Sequence, residues 1–142
     1  MGTGVDAPSV QFSPDGLTAE FLSSFDPLVS HTGTLQYAQL SNDSVTTLGA
    51  PVGYNVDSRN QAYLLSPSGG RVVYMQSPAV VPTQPTVGTM FEAKLDGISA
   101  PLILLHHMRD AAWLNDTVVY GERDLSPIPY HIQDGFYFNL LP

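Results

Sequence analysis

The sequence has 142 residues, the length of a single domain, and a formal net charge of −8 with only 13% charged residues. A surface this acidic repels phosphate groups and anionic lipids, so we expect neither nucleic acid nor a membrane as a partner. The absence of cysteine excludes disulfides, thiolate zinc sites and cysteine nucleophiles.

The chain is predicted to form one domain over residues 1–142, in which residues 1–8 are a lead that is flexible or was added ahead of the natural start. The first ten residues lack the basic and apolar regions of a secretory signal peptide. The longest unbroken apolar run covers residues 101–105, far fewer than the ~20 residues of a membrane span. We therefore expect no membrane insertion.

Turn-forming motifs punctuate the whole chain and separate short strand-like segments. They are SPDG (13–16), SNDS (41–44), SPSGG (66–70), TQPTVG (83–88), LDGI (95–98) and QDGF (133–136). The segments between them are rich in Val, Thr, Tyr, Phe and Leu, which suit half-buried β-strands. This spacing predicts an all-β fold, an antiparallel β-sandwich or jelly-roll-like barrel with short hairpins and at most one short helical turn.

Three pairs of strand-like segments are joined by strong hairpin signals, because glycine supplies the positive φ that tight turns require. The pairs are QAYLL (61–65) with RVVYMQ (71–76) across SPSGG, TMFEAKL (89–95) with ISAPLILL (98–105) across Asp96 and Gly97, and IPYHIQ (128–133) with FYFNLL (136–141) across Asp134 and Gly135. Further strands are expected at LTAEFLSSF (17–25), TLQYAQL (34–40), VGYNV (52–56) and TVVYGE (117–122).

Two segments point to sheet edges and self-association. Proline cannot donate to a β-ladder, so Pro78, Pro82 and Pro85 predict an edge segment or a long crossing loop. The segment GFYFNLLP (135–142) carries aromatic residues on both faces of a strand, which predicts a central strand or one covered by a neighbour. We therefore expect a homo-oligomer, a dimer or trimer, that assembles through one of these two segments.

The segment LILLHHMRDAAW (102–113) concentrates the side chains that most resemble a chemical site. In a strand, His106 and His107 point to opposite faces of the sheet. A shared metal ion would need a bend between them and a further ligand from His31 or His131. We therefore predict no metal site here.

A helix over the same segment would place His106, Arg109, Asp110 and Trp113 on one side. The Asp-Gly hairpin signal before it favours a strand instead. We predict a core strand up to about Leu105, followed by one irregular or helical turn, in which Trp113 anchors the returning loop. One histidine then faces the core and one faces out, and we expect His106 or His107 to line an interface that protonation at about pH 6 to 7 tunes.

Other catalytic and metal patterns are weak. No serine lies in a G-x-S-x-G elbow, and Glu122 and Asp124, which flank Arg123, have the pattern of a solvated turn. No EF-hand loop occurs, and calcium binding by single loop acids stays open. We predict no catalytic, cofactor-binding or metal-binding residue, no cofactor and no enzymatic activity, and we assign no ligand-binding residue.

Some loop residues have a pattern suited to recognition. Two N-x-S/T sequons occur in turn-like contexts, at Asn42 and Asn115, where a glycan could sit if the chain enters a secretory route. Most aromatic side chains are expected in the core, but Tyr54 and Tyr130 fall in loops, where they could stack on a sugar or fill a pocket of a partner.

The stretch SPSGGRVVYMQSPAVVPTQPTVGTMFEAKLDG (66–97), with the single lysine and the lack of cysteine, resembles the surface projection domains of small icosahedral virus capsids. It is similar in style to the protruding domains of nodavirus-like and tombusvirus-like coat proteins and to decoration proteins of phage heads. The resemblance is compositional and carries no residue roles. It implies an all-β sandwich on the virion surface that forms a dimer or trimer and attaches to a host receptor or glycan.

Two other functions fit the sequence. A carbohydrate-binding or adhesin module of a larger secreted protein would share the composition and would be extracellular. A small β-fold enzyme would use His106 or His107. The mass in solution separates a virion projection, which would be a dimer or trimer, from a lone binding module, which is usually monomeric. Metal analysis tests the enzyme.

Overall fold

The computed structural model describes residues 10–24, 26, 32–53, 63–76, 88–124 and 133–139. Within them the chain is all-β and antiparallel, as the turn spacing predicts, and it contains no helix. No helix that could cross a membrane occurs in this part of the chain. The predictions for residues 1–8 and for Pro78, Pro82 and Pro85 fall outside the described residues.

The β-strands follow one another as an antiparallel meander. They are β1 Gln11–Phe12, β2 Thr18–Ser23, β3 Thr32–Gln39, β4 Ser44–Gly53, β5 Tyr63–Leu65, β6 Arg71–Gln76, β7 Gly88–Lys94, β8 Leu102–Asn115, β9 Val118–Asp124 and β10 Gln133–Asn139. Their order in the sheet is β1-β2-β3-β4-β6-β7-β8-β9-β10, and β5 pairs with β6 beside this path. The strands β1 and β10 therefore lie at the two ends of the order.

The part of the sheet from β2 to β7 curls around a first core, which is closed between β4 and β6. These two strands pair through Val52 and Gln76, and the Tyr74 hydroxyl on β6 donates a 2.9 Å hydrogen bond to the Leu48 carbonyl oxygen on β4. Burial raises the pKa of Tyr74 to about 12, so this hydroxyl stays a donor at neutral pH. The core contains Leu22, Leu35, Tyr37, Val52, Tyr63, Val72, Tyr74, Ala93 and Leu95.

The strand β6 is buried on both faces. Its Val72 and Tyr74 side chains belong to the first core, whereas Val73, between them, belongs to a second core with Met90, Met108 and Val119. Alternate residues of a strand point to opposite faces, so the second core lies on the other side of β6 and β7. The molecule therefore has two layers that share β6 and β7, in keeping with a sandwich-like or barrel-like β fold.

The strand β8 joins the two layers because it curves. Its first half pairs with β7 and its second half pairs with β9, and the register shifts between Met108 and Asp110. Near its end, Trp113 donates through Nε1 a 2.9 Å hydrogen bond to the Leu64 carbonyl oxygen on β5. In the following turn, Asp116 accepts a 2.7 Å hydrogen bond from the Ser68 backbone N–H. The end of β8 thus returns to the β5–β6 hairpin.

Two of the three predicted hairpins are confirmed. The β5–β6 pair closes through residues 66–70, where the Ser66 N–H donates to the Arg71 carbonyl oxygen at 2.8 Å. The β7–β8 pair is also antiparallel, but its connection is longer than a two-residue turn. The Asp96 carboxylate accepts hydrogen bonds from the Ile98 and Ser99 N–H groups, so the chain turns through residues 95–101 before β8 begins.

The third predicted hairpin is wrong. Asp134 and Gly135 lie inside β10, opposite Arg123 and Glu122 of β9, instead of forming a turn. The partner of this strand is therefore β9, and the predicted partner segment 128–133 falls outside the described residues apart from its last position. A glycine without a side chain is compatible with an extended ladder as well as with a turn, so the Asp-Gly pair alone did not fix the local conformation.

The prediction for the segment 102–113 is also corrected. No irregular or helical turn follows Leu105, because β8 continues through the whole segment. The first residues are not a core strand either, since Leu102 and Ile103 are 60% and 57% exposed. The register shift near Met108 lets the strand bend without breaking, so the chain changes direction while the strand continues.

Candidate functional site

Several turns meet at one end of the curled sheet and form a cleft of about 320 Å³, which we call the loop-end cleft. Backbone hydrogen bonds fasten the turns to one another: the Leu40 N–H donates to the Leu17 carbonyl oxygen at 2.9 Å, and the Leu95 N–H donates to the Gly70 carbonyl oxygen at 3.0 Å. The volume falls at the lower end of the ~300–1,000 Å³ typical of small-molecule sites. The lining residues are Asp15, Leu17, Thr18, Gln39, Ser41, Ser68, Gly69, Gly70 and Leu95.

Asp15 provides a carboxylate at the edge of the cleft. Its Oδ1 accepts hydrogen bonds from the Ser13 hydroxyl at 2.6 Å and from the Leu17 N–H at 2.9 Å. These bonds, the Ser13 bond first, lower the pKa of Asp15, so the group is ionised at neutral pH. Both bonds go to the same oxygen, which leaves Oδ2 as an acceptor for a ligand.

The lining of the cleft also offers an amide and two hydroxyl groups. Gln39 Oε1 accepts from the Asn42 side-chain amide at 3.2 Å, which holds the glutamine against the β3–β4 turn. Ser41 is exposed in that turn, and the Ser68 hydroxyl accepts a weak 3.4 Å hydrogen bond from the Gly70 N–H. Together with Asp15, these side chains can donate to and accept from a ligand that carries several hydroxyl groups.

A buried carboxyl group lies next to the cleft. Glu20 on β2 is 0% exposed, and Thr18, two residues earlier on the same face of β2, lines the cleft. Burial raises the pKa of Glu20 to about 7, and the negative charge of Asp15 contributes to the rise, whereas the nearby Thr18 hydroxyl opposes it. The carboxyl therefore changes its protonation state near neutral pH.

The surroundings of Glu20 are unusually short of hydrogen-bond partners. Both carboxyl oxygens of Glu20, the Thr18 hydroxyl and the Tyr37 hydroxyl are buried without a hydrogen-bond partner among the described residues. Tyr37 stands directly opposite Glu20 on β3, so the three side chains face the same interior. This cluster binds a proton more readily than an exposed carboxyl does.

His106 on β8 belongs to no group of metal ligands among the described residues. His106 is exposed, and its Nδ1 lies 3.0 Å from the Thr89 hydroxyl on the neighbouring strand. The side chains of His107, Arg109 and Asp110 fall outside the described part of the chain, as do His31 and His131. No group of three or more His, Asp or Glu residues that could hold a metal ion occurs among the described residues.

The other candidate residues are placed as follows. Trp113 anchors β8 itself on β5, not a returning loop. Glu122 and Asp124 lie in β9 and not in a turn, although their side chains fall outside the described part. Tyr54 and Tyr130 also fall outside it.

Both sequons lie in the turns that the sequence predicts. Asn42 and Asn115 are exposed, and each Oδ1 accepts the N–H of the residue two positions later, Ser44 at 3.0 Å and Thr117 at 2.9 Å. This local hydrogen bond is the usual reason that asparagine is favoured in turns.

Sequence reasoning missed Glu20, Gln39 and the cleft itself. A signal for Glu20 was present, because the alternation of β2 puts Glu20 on the same face as Leu22, which is a core position. The cleft had no comparable signal, since it depends on turns that are distant in sequence.

No protein-family model matches the chain, and no characterised protein matches it significantly. Function is therefore inferred from the residues of this chain and from their geometry.

Proposed function

We propose that this domain is a non-enzymatic projection on the surface of a virion that takes part in host attachment by binding a hydroxyl-rich, uncharged ligand, such as a neutral glycan, in the loop-end cleft. The observation that carries the proposal is the set of polar side chains around the cleft. Asp15, Gln39, Ser41 and Ser68 all come from turns or strand ends at one end of the sheet.

The chemistry of the cleft supports a sugar as the ligand. Sugar hydroxyl groups both donate and accept hydrogen bonds, and the cleft presents a carboxylate acceptor, an amide and two hydroxyls. Leu17, which is exposed at the rim, adds an apolar surface against which the C–H groups of a sugar ring can pack. Small-molecule sites commonly combine apolar lining with a few polar groups that fix orientation.

Charge supports an uncharged ligand over an acidic one. The chain carries a net charge of −8, and the described residues that line the cleft include the Asp15 carboxylate and neither lysine nor arginine. An anionic sugar would meet repulsion from both sources. We therefore expect neutral glycans to bind and sialylated or sulfated glycans to be rejected.

A glycan array tests the proposal, with neutral, sialylated and sulfated glycans as probes. We expect a subset of neutral glycans to be retained, and we expect Gln39→Ala to weaken their binding roughly tenfold, the effect of losing one or two hydrogen bonds. Gln36→Ala is the matched control, because Gln36 lies on the same strand but bonds to Thr47 outside the cleft. Equal binding by both variants, or retention of acidic glycans alone, would overturn the proposal.

The alternative function, a secreted carbohydrate-binding or adhesin module, would use the same cleft. The gene separates the two: a shell domain encoded immediately upstream in the same reading frame supports the virion surface, whereas a secreted multidomain context supports the module. Glycan binding by itself supports both functions equally.

A further inference from the structure

The buried carboxyl of Glu20 lies one row inward from the wall of the loop-end cleft. On the inward face of β2 and β3, Thr18 stands opposite Gln39, and Glu20 stands opposite Tyr37. Thr18 and Gln39 line the cleft, whereas Glu20 and Tyr37 are 0% and 1% exposed. Alternate residues of a strand point to the same face, so the two pairs form neighbouring rows. The cleft therefore ends directly above the carboxyl.

Thr18 and Leu95 belong both to the lining of the cleft and to the interior that Glu20 faces. Thr18 lines the cleft, while its hydroxyl is buried and opposes the rise in the pKa of Glu20, so the hydroxyl is turned towards the carboxyl. Leu95 lines the cleft and is also a residue of the first core. A displacement of either side chain would therefore connect the cleft with the carboxyl.

The neutral side chains around Glu20 do not pair with its carboxyl. Tyr37 faces it from β3 without a hydrogen-bond partner among the described residues. Tyr63 on β5 donates its hydroxyl to the Glu20 backbone carbonyl oxygen at 3.1 Å, and Tyr74 on β6 donates to the backbone of β4. Gln11 stands opposite Glu20 on β1, but its side-chain amide bonds to the backbone of β5.

The charged side chains nearby do not stabilise an ionised Glu20. Asp15, in the turn before β2, acts on Glu20 through its negative charge and opposes ionisation. The other charged side chains of the neighbouring elements point elsewhere: Arg71, Glu92 and Lys94 alternate with core residues and face the other side of β6 and β7, and Asp96 bonds within its own turn. An ionised Glu20 therefore has to obtain its hydrogen bonds from water, because a buried carboxylate without donors is strongly disfavoured.

The open space next to Glu20 is the loop-end cleft, on the other side of Thr18. We propose that Glu20 and the loop-end cleft are linked: loss of the Glu20 proton admits water from the cleft to the carboxyl, and a ligand that fills the cleft excludes this water and favours the protonated form. The effect of the ligand rests on the proposed function, whereas the entry of water does not.

The direction of the pH dependence follows from linkage. A ligand that favours protonated Glu20 must bind more weakly when the proton is lost, because coupling between two binding events is reciprocal. Burial raises the pKa of Glu20 to about 7, so the affinity should fall as the pH rises through about 7. One proton limits the fall to about tenfold per pH unit, and we expect a loss of roughly three- to tenfold between about pH 6 and about pH 8.

Nuclear magnetic resonance of the full chain tests the link without a ligand. We expect the backbone amide shifts of Gln39 and Leu95 to titrate with a midpoint near pH 7 in the natural chain and to stay constant in Glu20→Gln. Asp43→Asn is the matched control, because it removes one negative charge from the exposed β3–β4 turn and should keep the titration. Thr18→Val removes the hydroxyl beside the carboxyl and should raise the midpoint.

Constant shifts at the cleft in the natural chain, or a titration that persists in Glu20→Gln, would overturn the link. Histidine titrations do not imitate it, since every variant keeps the four histidines. If Glu20→Gln does not fold, Thr18→Val decides the question: an unchanged midpoint would show that the titrating group is not Glu20.

Calorimetric titration with a neutral glycan that the array retains tests the effect of the ligand. We expect the natural chain to lose affinity between about pH 6 and about pH 8, and Glu20→Gln to bind equally well at both. A pH-independent affinity of the natural chain, or the same loss in Glu20→Gln, would overturn the link to the ligand. Failure of every neutral glycan to bind at either pH would overturn the proposed function instead, and the amide titration would still decide whether Glu20 controls the cleft.

Discussion

Trp113 and Leu64 tie the two layers of the molecule together, because the indole Nε1 of Trp113 donates a 2.9 Å hydrogen bond to the Leu64 carbonyl oxygen. The indole also packs against the second core. Trp113→Phe keeps an aromatic ring but removes the donor, so we expect a loss of about 1–2 kcal/mol in the free energy of unfolding. Trp113→Ala also removes packing and should cost about 3 kcal/mol. Urea unfolding followed by circular dichroism measures both losses, and a Phe variant as stable as the natural chain would contradict this role.

Glu20 should make the stability of the domain depend on pH. The carboxyl has an ordinary pKa of 4.5 in the unfolded chain and about 7 in the folded protein, so the folded state binds the proton more tightly. The contribution of Glu20 to the free energy of unfolding is therefore fully present below pH 4.5 and is lost as the pH rises through about 7. Glu20→Gln stays neutral, and we expect it to be more stable than the natural chain by roughly 1–3 kcal/mol at about pH 8.

Thermal unfolding at low and high pH provides the measurement for Glu20. Asp43→Asn is the control for the loss of one negative charge, because Asp43 is exposed in the β3–β4 turn. We expect Glu20→Gln to flatten the decline of melting temperature between mildly acidic and mildly basic pH, and Asp43→Asn to leave it in place. The same decline in both variants would show that Glu20 is not its cause.

Arg71 and Glu92 form an ion pair of 3.3 Å across β6 and β7, with the Glu92 side chain only 3% exposed. Arg71→Met removes the cation and leaves a buried carboxylate, so we expect a loss of about 3 kcal/mol. The double variant Arg71→Met, Glu92→Met removes both charges and should recover most of that loss. A double-mutant cycle in urea measures the coupling, and strictly additive losses would mean that the pair contributes nothing.

Gly69 and Gly70 should respond differently to alanine. Gly69 has a φ of +80°, and a Cβ atom there would lie 2.7 Å from the Ser13 Cβ and 2.8 Å from the Pro14 Cδ. At Gly70 the nearest atom is the Ser68 hydroxyl oxygen, at 3.6 Å. We expect Gly69→Ala to cost about 1–3 kcal/mol and Gly70→Ala less than about 1 kcal/mol, measured by thermal unfolding. Equal melting temperatures would show that the β1–β2 and β5–β6 turns can separate freely.

The all-β class and most strands could be predicted because period-two alternation and turn residues act locally. Each turn signal in residues 66–70 and 95–98 specifies a backbone geometry that tertiary packing then keeps. The predicted turn at Asp134 and Gly135 was wrong because glycine also tolerates an extended ladder, and pairing with β9 decided the conformation there. The predicted end of the strand at about Leu105 was wrong because β8 bends at a register shift, which needs no residue that ends a strand.

The candidate site was less predictable than the fold. Glu20 and Gln39 come from neighbouring strands, but Ser68 and Leu95 reach the cleft from turns far away in sequence. Periodicity indicates which face a residue occupies, but it does not indicate which turns will meet at the end of a curled sheet. The histidines have the more conspicuous chemistry, but the described buried group whose pKa is raised to about 7 is Glu20, a carboxyl in a strand of ordinary appearance.

Most of the lining of the loop-end cleft comes from three turns, residues 13–17, 40–43 and 66–70, which contain none of the residues of either core. A substitution or insertion in residues 13–17, 40–43 or 66–70 would therefore alter one part of the lining while the strands keep their pairing. Ligand recognition can then change one segment at a time while the sheet stays the same. Most of the residues that would contact a ligand are not the residues that hold the sheet together.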